Sequence, residues 1–272
     1  MQYENPEIPE GINTTDEHPL KEFVILSSGI IFVTMVIISL ILLAVEYTTQ
    51  LIPFEYEQQL ISSLSDQYSN KPNPTQKYLQ NLANKIALTQ KLPKGMNITV
   101  HYINEDTINA FATLGGHIII YRGLLEKLPS ENSLTMLLAH EIAHIKYRHP
   151  IKSISSGLLF QILWVMITNN SNSSGIFNIT RLTSLSYSRS NETKADEEGL
   201  YSVFQIYNDV NGATDLFQML IESQQAMSFT KLEYFSTHPD IKDRITHLNR
   251  LAEKKGWASK KTIVEIHYPN EF

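Results

Sequence analysis

His140-Glu141-Ile142-Ala143-His144 is the stretch that decides this chain. On an α-helix, residues i and i+4 lie about 40° apart around the axis, so the two imidazoles share one face. Both can then reach a single metal ion. Glu141, one residue on, faces the open side of that ion, where it can take a proton from a water. The flanking residues support the helix this requires. Ser130 after Pro129 reads as an N-cap, with Glu131 in the first turn. Leu134, Leu137, Leu138, Ile142 and Ile145 recur at helical spacing. Pro150 marks the expected end, because the residue before a proline is biased out of the helical region.

Two His ligands need a third protein donor. His149 lies nine residues from His140, which places it on the opposite helix face. It also stands five rather than six residues after His144, with Tyr147 where a metzincin-type site needs glycine. His149 is therefore read as a structural residue at the helix C-terminus. The better source is Tyr187-Ser188-Arg189-Ser190-Asn191-Glu192-Thr193-Lys194-Ala195-Asp196. Glu192 and Asp196 are again i and i+4. One carboxylate can bind metal, and the other can accept a hydrogen bond from the far nitrogen of a ligand His. Two His, one carboxylate and an open position make the hydrolytic arrangement of zinc rather than the closed structural one. The plain alternative is a solvated acidic helix face, since Glu197 and Glu198 follow.

Four stretches together resemble the HtpX/Oma/CAAX-prenyl-protease group of zinc metalloendopeptidases. The first is Asn109-Ala110-Phe111-Ala112, then Gly115-Gly116 and Gly123-Leu124-Leu125. The second is His140 to His144 with His149-Pro150. The third is Ser188-Arg189, Glu192, Ala195-Asp196 and Gly199. The fourth is Thr237-His238-Pro239 followed by Arg244. Leu114 departs from the proline that many members carry there. The resemblance implies one Zn2+ per chain, held by His140, His144 and Glu192, with Glu141 as general base. It implies that Asp196 supports the ligands from behind. His238 is implied in a loop near the metal, where it either stabilises the oxyanion or occludes the site.

Other segments have physical jobs of their own. Ile98 to Tyr102 alternates as a half-buried strand. Ile108 to Ala112 and His117 to Tyr121 flank a Gly115-Gly116 hairpin turn. An exposed sheet edge can hold an extended peptide by main-chain hydrogen bonds. His117, Ile118 and Ile119 are read as that substrate edge; a purely structural hairpin is the alternative. The imidazoles of His101 and His117 are read as surface groups on their strands. His238-Pro239 opens a further helix, whose Arg244 holds the His-bearing loop or a substrate carbonyl, or else lies on the surface. Tyr187 is read as core, with a place lining the cleft as the alternative.

Residues 23–45 run for 23 positions without a charge, enough to cross a ~30 Å hydrocarbon layer. The long acidic leader and the absence of a small-residue cleavage site favour a signal anchor over a removed signal peptide. Lys21 abuts the segment and the next cation is Lys71, which favours a cytoplasmic N-terminus and a catalytic domain on the other side. Residues 1–22 are an acidic, disordered leader, and 46–272 form the peptidase domain, which is ample for one core. Net charge is −6, and six of the 28 acids sit in residues 1–22. The rest is nearly balanced, with no basic stripe for nucleic acid. There is no cysteine, hence no disulfide. The apolar run 154–167 is read as a core helix, with a membrane-surface helix as alternative. The Asn/Ser tract 168–174 is read as a loop that lids the cleft.

The expected fold is α+β: a mainly helical zincin-like domain with a small sheet, behind one transmembrane helix that contacts lipid. The expected function is zinc-dependent endoproteolysis of unfolded or mis-assembled membrane-associated polypeptides. The alternative is a latent or non-proteolytic membrane-tethered chaperone or scaffold that keeps the zinc site.

Overall fold

The computed structural model describes residues 18–49, 52–59, 61, 73–154, 187–226, 234, 238, 241–257 and 263–268. The chain divides into two units at Tyr47/Thr48. The first holds α1 (Pro19–Thr49), whose apolar side chains are exposed along its length. Its window Pro19–Ile41 is long and apolar enough to cross a membrane. The expected leader (1–17 of it), the run from 155 to 167 and the tract 168–174 lie outside the described residues.

In the second unit, α2 (Pro74–Gln90) starts where Asn73 Oδ1 accepts from Gln76 N–H at 2.7 Å with Pro74 in the first turn. Strands β1 (Thr99–Ile103), β2 (Ala110–Ala112) and β3 (His117–Tyr121) form one sheet in the order β1-β3-β2. β1 runs parallel to β3 and β2 antiparallel to it, with Phe111 opposite Ile119. Val100, Tyr102, Ala110, Ala112, Ile118 and Ile120 face the main core, as period-two alternation requires. The β2–β3 turn uses Gly115 and Gly116 at φ 67° and 86°. A Cβ on Gly116 would lie 1.9 Å from the Asn97 carbonyl oxygen, so no other residue fits.

This topology corrects the reading of the substrate edge. His117, Ile118 and Ile119 lie on the central strand, with partners on both sides. Among the described residues, only β1 and β2 have an outer edge. The hydrophobic pattern marks a strand but not its place in the sheet. His101 and His117 are likewise not surface groups. His101 is buried and stacks on the half-buried His117, with His101 Nε2 2.7 Å from His117 Nδ1.

After the short α3 (Arg122–Leu125), the central helix α4 (Glu131–Lys146) begins at a capping box. Ser130 Oγ accepts from Ser133 N–H and Ser133 Oγ from Ser130 N–H, both at 3.1 Å. Tyr78 and Tyr207 both donate to Glu131, and Glu131 N–H donates to Val264 O of the extended segment 263–268. Every residue from Asn132 to Ile145 is buried. A helix covered all round belongs in the middle of a domain. It packs most heavily against α5 (Arg189–Tyr207), capped by Ser188. Gly199 makes that approach possible, since a Cβ there would lie 2.9 Å from the Met136 sulfur. Two further helices, α6 (Asp215–Ala226) and α7 (Ile241–Lys255), complete the unit. Ile241, Arg244, Leu248 and Ala252 form the buried stripe of α7.

Helix α4 ends at Lys146, before the proline. Arg148 takes a left-handed φ of 58° and reverses the chain, and a new helix spans 149–154 with Pro150 in its first turn. The molecule is α+β and mainly helical, with a three-stranded mixed sheet, consistent with a zincin-like domain.

Candidate metal centre

His140 and His144 project from the middle of α4, and Glu192 comes from the first turn of α5. His238 follows Tyr234, to whose carbonyl its N–H bonds. All four are buried, and one donor atom from each falls within 4.8 Å of the others. His140 Nε2 lies 3.0 Å from His144 Nε2 and 3.3 Å from His238 Nδ1. Glu192 Oε1 is 3.4 Å from His144 Nε2, and Oε2 is 3.6 Å from His140 Nε2. His238 Nδ1 sits 3.1 Å from both Glu192 oxygens. A tetrahedral ion with bonds of about 2.0–2.1 Å needs donors about 3.3 Å apart. Most of the spacings above lie near that value, and three imidazoles with one carboxylate are a donor set for a borderline cation. His238 is part of the group that could hold the ion.

The ligands are oriented from behind. His140 Nδ1 lies 2.9 Å from Asp196 Oδ1, and Arg244 grips Asp196 through Nε and Nη2, both at 2.7 Å. Arg244 Nη1 also reaches Glu192 Oε2 at 2.8 Å. The guanidinium is thus buried rather than on the surface, and it supports the cluster from behind, as expected for Asp196, by pairing with two carboxylates. Behind His144 the partner is His149, Nδ1 to Nδ1 at 2.9 Å. The opposite-face reading of His149 fails because the helix has already ended and Arg148 turns the imidazole back. Tyr187 stacks on the His144 ring at 4.0 Å, and Tyr234 stacks on His238 at 4.4 Å. No spacing in the sequence pointed to these two rings as part of the site.

Glu141 is fully buried. Its Oε2 accepts from Ala112 N–H of β2 at 2.8 Å. Its Oε1 has no hydrogen bond among the described residues and lies 3.5 Å from His238 Nε2. Burial raises the Glu141 carboxyl above its ordinary range, against the pull of His238 and His140. Glu192 moves the other way. Burial opposes its ionisation, but the charge of His238 and hydrogen bonds from His144 and His238 hold it well below the usual carboxylate range. Burial pushes His144 far down, toward the neutral form that ligation needs. Two carboxyls of one site are thus driven apart, one toward a proton acceptor of moderate basicity and one toward a permanent anion.

The model of peptidase family M48 matches residues 73–252, which hold all of these groups. The chain belongs to peptidase family M48. M48 peptidases are metal-dependent, and the four buried donors here suit a metal ion. The chain is 28% identical over 193 residues to mitochondrial metalloendopeptidase OMA1 of Schizosaccharomyces pombe, covering 69% of this chain and 56% of that protein. It is 27% identical over 228 residues to mitochondrial metalloendopeptidase OMA1 of Bos taurus, covering 78% and 44%. It is 29% identical over 183 residues to a putative beta-barrel assembly-enhancing protease of Vibrio cholerae, covering 62% and 37%. The chain thus spans about half or less of the length of these relatives. Leu114, the departure from the M48 pattern, packs in an apolar cluster with Ile61 and Ile151.

Proposed function

We propose that this chain is a membrane-anchored zinc metalloendopeptidase, with His140, His144 and Glu192 as ligands and Glu141 as general base. The observation that carries it is a fully buried carboxylate held by one oxygen, its other oxygen free beside a metal-fitting cluster. When bound, zinc supplies Lewis acidity toward the scissile carbonyl and the attacking water. Glu141 Oε1 takes the water's proton and delivers one to the leaving amine. The Ala112 N–H keeps the carboxylate aimed through both transfers. Asp196 and His149 fix the two ligand imidazoles so that each presents Nε2.

Substrate is proposed to lie along the outer edge of β2. Thr113 N–H and Asn109 C=O bond to β3, so Ala110 directs its main-chain groups away from that strand, while the Ala112 N–H on the same side is already taken by Glu141. An added strand there places a peptide bond beside Glu141, with little demand on side chains. That suits unfolded or mis-assembled polypeptides near a membrane. The apolar helix α1 and relatives named for mitochondrial endoproteolysis and beta-barrel assembly support this setting. The proposed orientation keeps the N-terminus cytoplasmic and the peptidase unit on the other side.

His238 adds a second state of the same enzyme. Its Nδ1 lies 3.3 Å from His140 Nε2 and 3.1 Å from the Glu192 carboxylate, which supports a reading in which His238 takes the water's place in a latent form and swings aside for turnover. The test compares the full-length chain in detergent with Glu141→Gln, both loaded with zinc, on an unfolded protein. Cleavage should fall by about 10²–10⁴-fold in the variant. Equal rates would remove Glu141 from the chemistry. For His238→Ala, faster cleavage identifies a guard and slower cleavage an oxyanion donor.

A further inference from the structure

Glu57 lies outside the stretch shared with the M48 family, in the segment that follows α1 in sequence. A glutamate on the short helical piece 54–59 would ordinarily be solvated. Here it is buried, only 3% exposed. Its Oε1 accepts from Arg148 Nε at 2.8 Å and from Arg148 Nη2, and its Oε2 accepts from Gly115 N–H at 3.2 Å. The remaining Arg148 nitrogen, Nη1, donates to the Ile52 carbonyl, and the guanidinium lies over the Phe54 ring. The metal centre uses none of these groups directly.

Arg148 is the residue whose left-handed backbone reverses the chain after α4. A residue with a side chain takes that conformation at a cost, as Lys91 and Asn208 also do where their helices end. At Arg148 the side chain is held besides, with Glu57 and Ile52 gripping all three guanidinium nitrogens. The next residue is His149, whose Nδ1 meets Nδ1 of ligand His144. With Nε2 of His144 turned to the metal, its proton sits on Nδ1 and is donated to His149, which must accept there. The second oxygen of Glu57 holds the turn that leads from β2 to β3, and Ala112 of β2 holds Glu141. Ile61, Leu114 and Ile151 bury one another and bind the same three pieces together. A Cβ on Gly115 would lie 3.0 Å from Gln58 Cα, so the turn rests directly on the 54–59 segment.

We propose that Glu57 is a positioning residue for the metal centre, acting through Arg148 and His149 on His144 and through the Gly115 turn on Glu141. The segment nearest the apolar helix in sequence thereby sets the geometry of the site. This rests on the metallopeptidase reading and adds to it a control point outside the family's shared core.

The test uses the full-length chain in detergent and Zn2+ itself. Affinity is read by competition with a chromophoric chelator, ligand geometry by the visible absorption of the Co2+-loaded protein, and fold by circular dichroism. Glu57→Gln and His149→Phe should each weaken Zn2+ binding about 10–100-fold and alter the Co2+ spectrum. The double variant should be no weaker than the worse single one, because both break one chain of contacts. His149→Asn, which keeps an acceptor near the Nδ1 position, should regain much of the loss. Glu57→Asp keeps the charge and serves where Glu57→Gln does not fold; its loss should be smaller but of the same kind. Parent-like affinity and Co2+ spectrum in Glu57→Gln, with lowered thermal stability alone, would make Glu57 merely structural. Additive losses in the double variant would equally overturn the relay. Failure of the parent to bind Zn2+ at all would instead remove the metal reading, and the relay with it.

Discussion

His140 and His144 face one metal position from one helix, yet opposite chemistry holds them from behind. Behind His140 stand ions: Asp196 at 2.9 Å, locked by Arg244, which also reaches Glu192. Behind His144 stand neutral rings: His149 at 2.9 Å and Tyr187 stacked at 4.0 Å. The charged half is held by electrostatics inside the core, where an unpaired ion is expensive. The neutral half is held by packing and by a turn that remote residues enforce. Loss of an ion on the first half should therefore cost the most stability, whereas loss of the His149 acceptor on the second should loosen the metal and largely spare the fold.

The largest effect is expected from Asp196→Ala, which leaves the Arg244 guanidinium buried without its main partner. Breaking such a pair costs roughly 3–5 kcal/mol, and chemical denaturation should show it even with metal absent. A loss below about 1 kcal/mol would mean that Glu192 alone satisfies Arg244, and the contrast between the halves would weaken. Tyr187→Ala comes next. Removing a buried aromatic costs about 3–5 kcal/mol where the site cannot collapse, and less here because the ring lies next to adaptable groups. Tyr187→Phe should be nearly silent in both stability and Zn2+ affinity, because among the described residues the hydroxyl reaches only the Ala112 carbonyl, at 3.5 Å. A metal defect in the Phe variant would show that the hydroxyl, not the ring, matters.

Acid should also separate the halves. Burial, with Lys152 adding to it, pushes His149 down to about 3 from 6.5. Below 6.5 the unfolded chain takes up a proton that the folded chain refuses until about 3, so this contribution to stability falls with falling pH across that window. Asp196 behaves differently. Burial would raise its carboxyl, but Arg244 and His140 hold it below its ordinary value, so its contribution persists down to that value and is lost only beneath it. Unfolding curves from pH 7 to 4.5 should therefore slope less in His149→Asn than in the parent. Parallel slopes would place the acid-sensitive group elsewhere. The smallest effect, about 1 kcal/mol, is expected from Ser130→Ala, which removes one side of the capping box that starts the helix carrying both ligands.

The His140–His144 pair, Glu192, Asp196 and the Ser130 cap were legible because each is a local periodicity. Helical spacing turns two positions in sequence into two neighbours in space, and a cap is read within four residues. The strand read at 98–102, found at Thr99–Ile103, was legible through alternation, and the one at 117–121 through the glycine turn before it. The substrate edge was not, because the order β1-β3-β2 depends on a parallel pairing between residues distant in sequence. The unbroken Ile118-Ile119-Ile120 run is the pattern of a strand covered on both faces, but which strands flank it is not recorded locally. His149 was misread for a related reason. Helical geometry predicts the opposite face only while the helix continues, and one left-handed residue at Arg148 ends that extrapolation.

From sequence alone, the chain declared its family, its apolar helix and the His140, His144 and Glu192 side chains that come together, since each rests on interactions within a few residues or on a pattern of residue types. Tertiary structure decided that Arg244 pairs with both Asp196 and Glu192, that His238 joins the buried cluster, which strand is central in the sheet, and that Glu57 meets Arg148 and the Gly115 turn. Those depend on burial and on contacts across scores of residues. There the cost of an unpaired charge or an unfilled corner is settled by what packs beside it, and no local pattern records that.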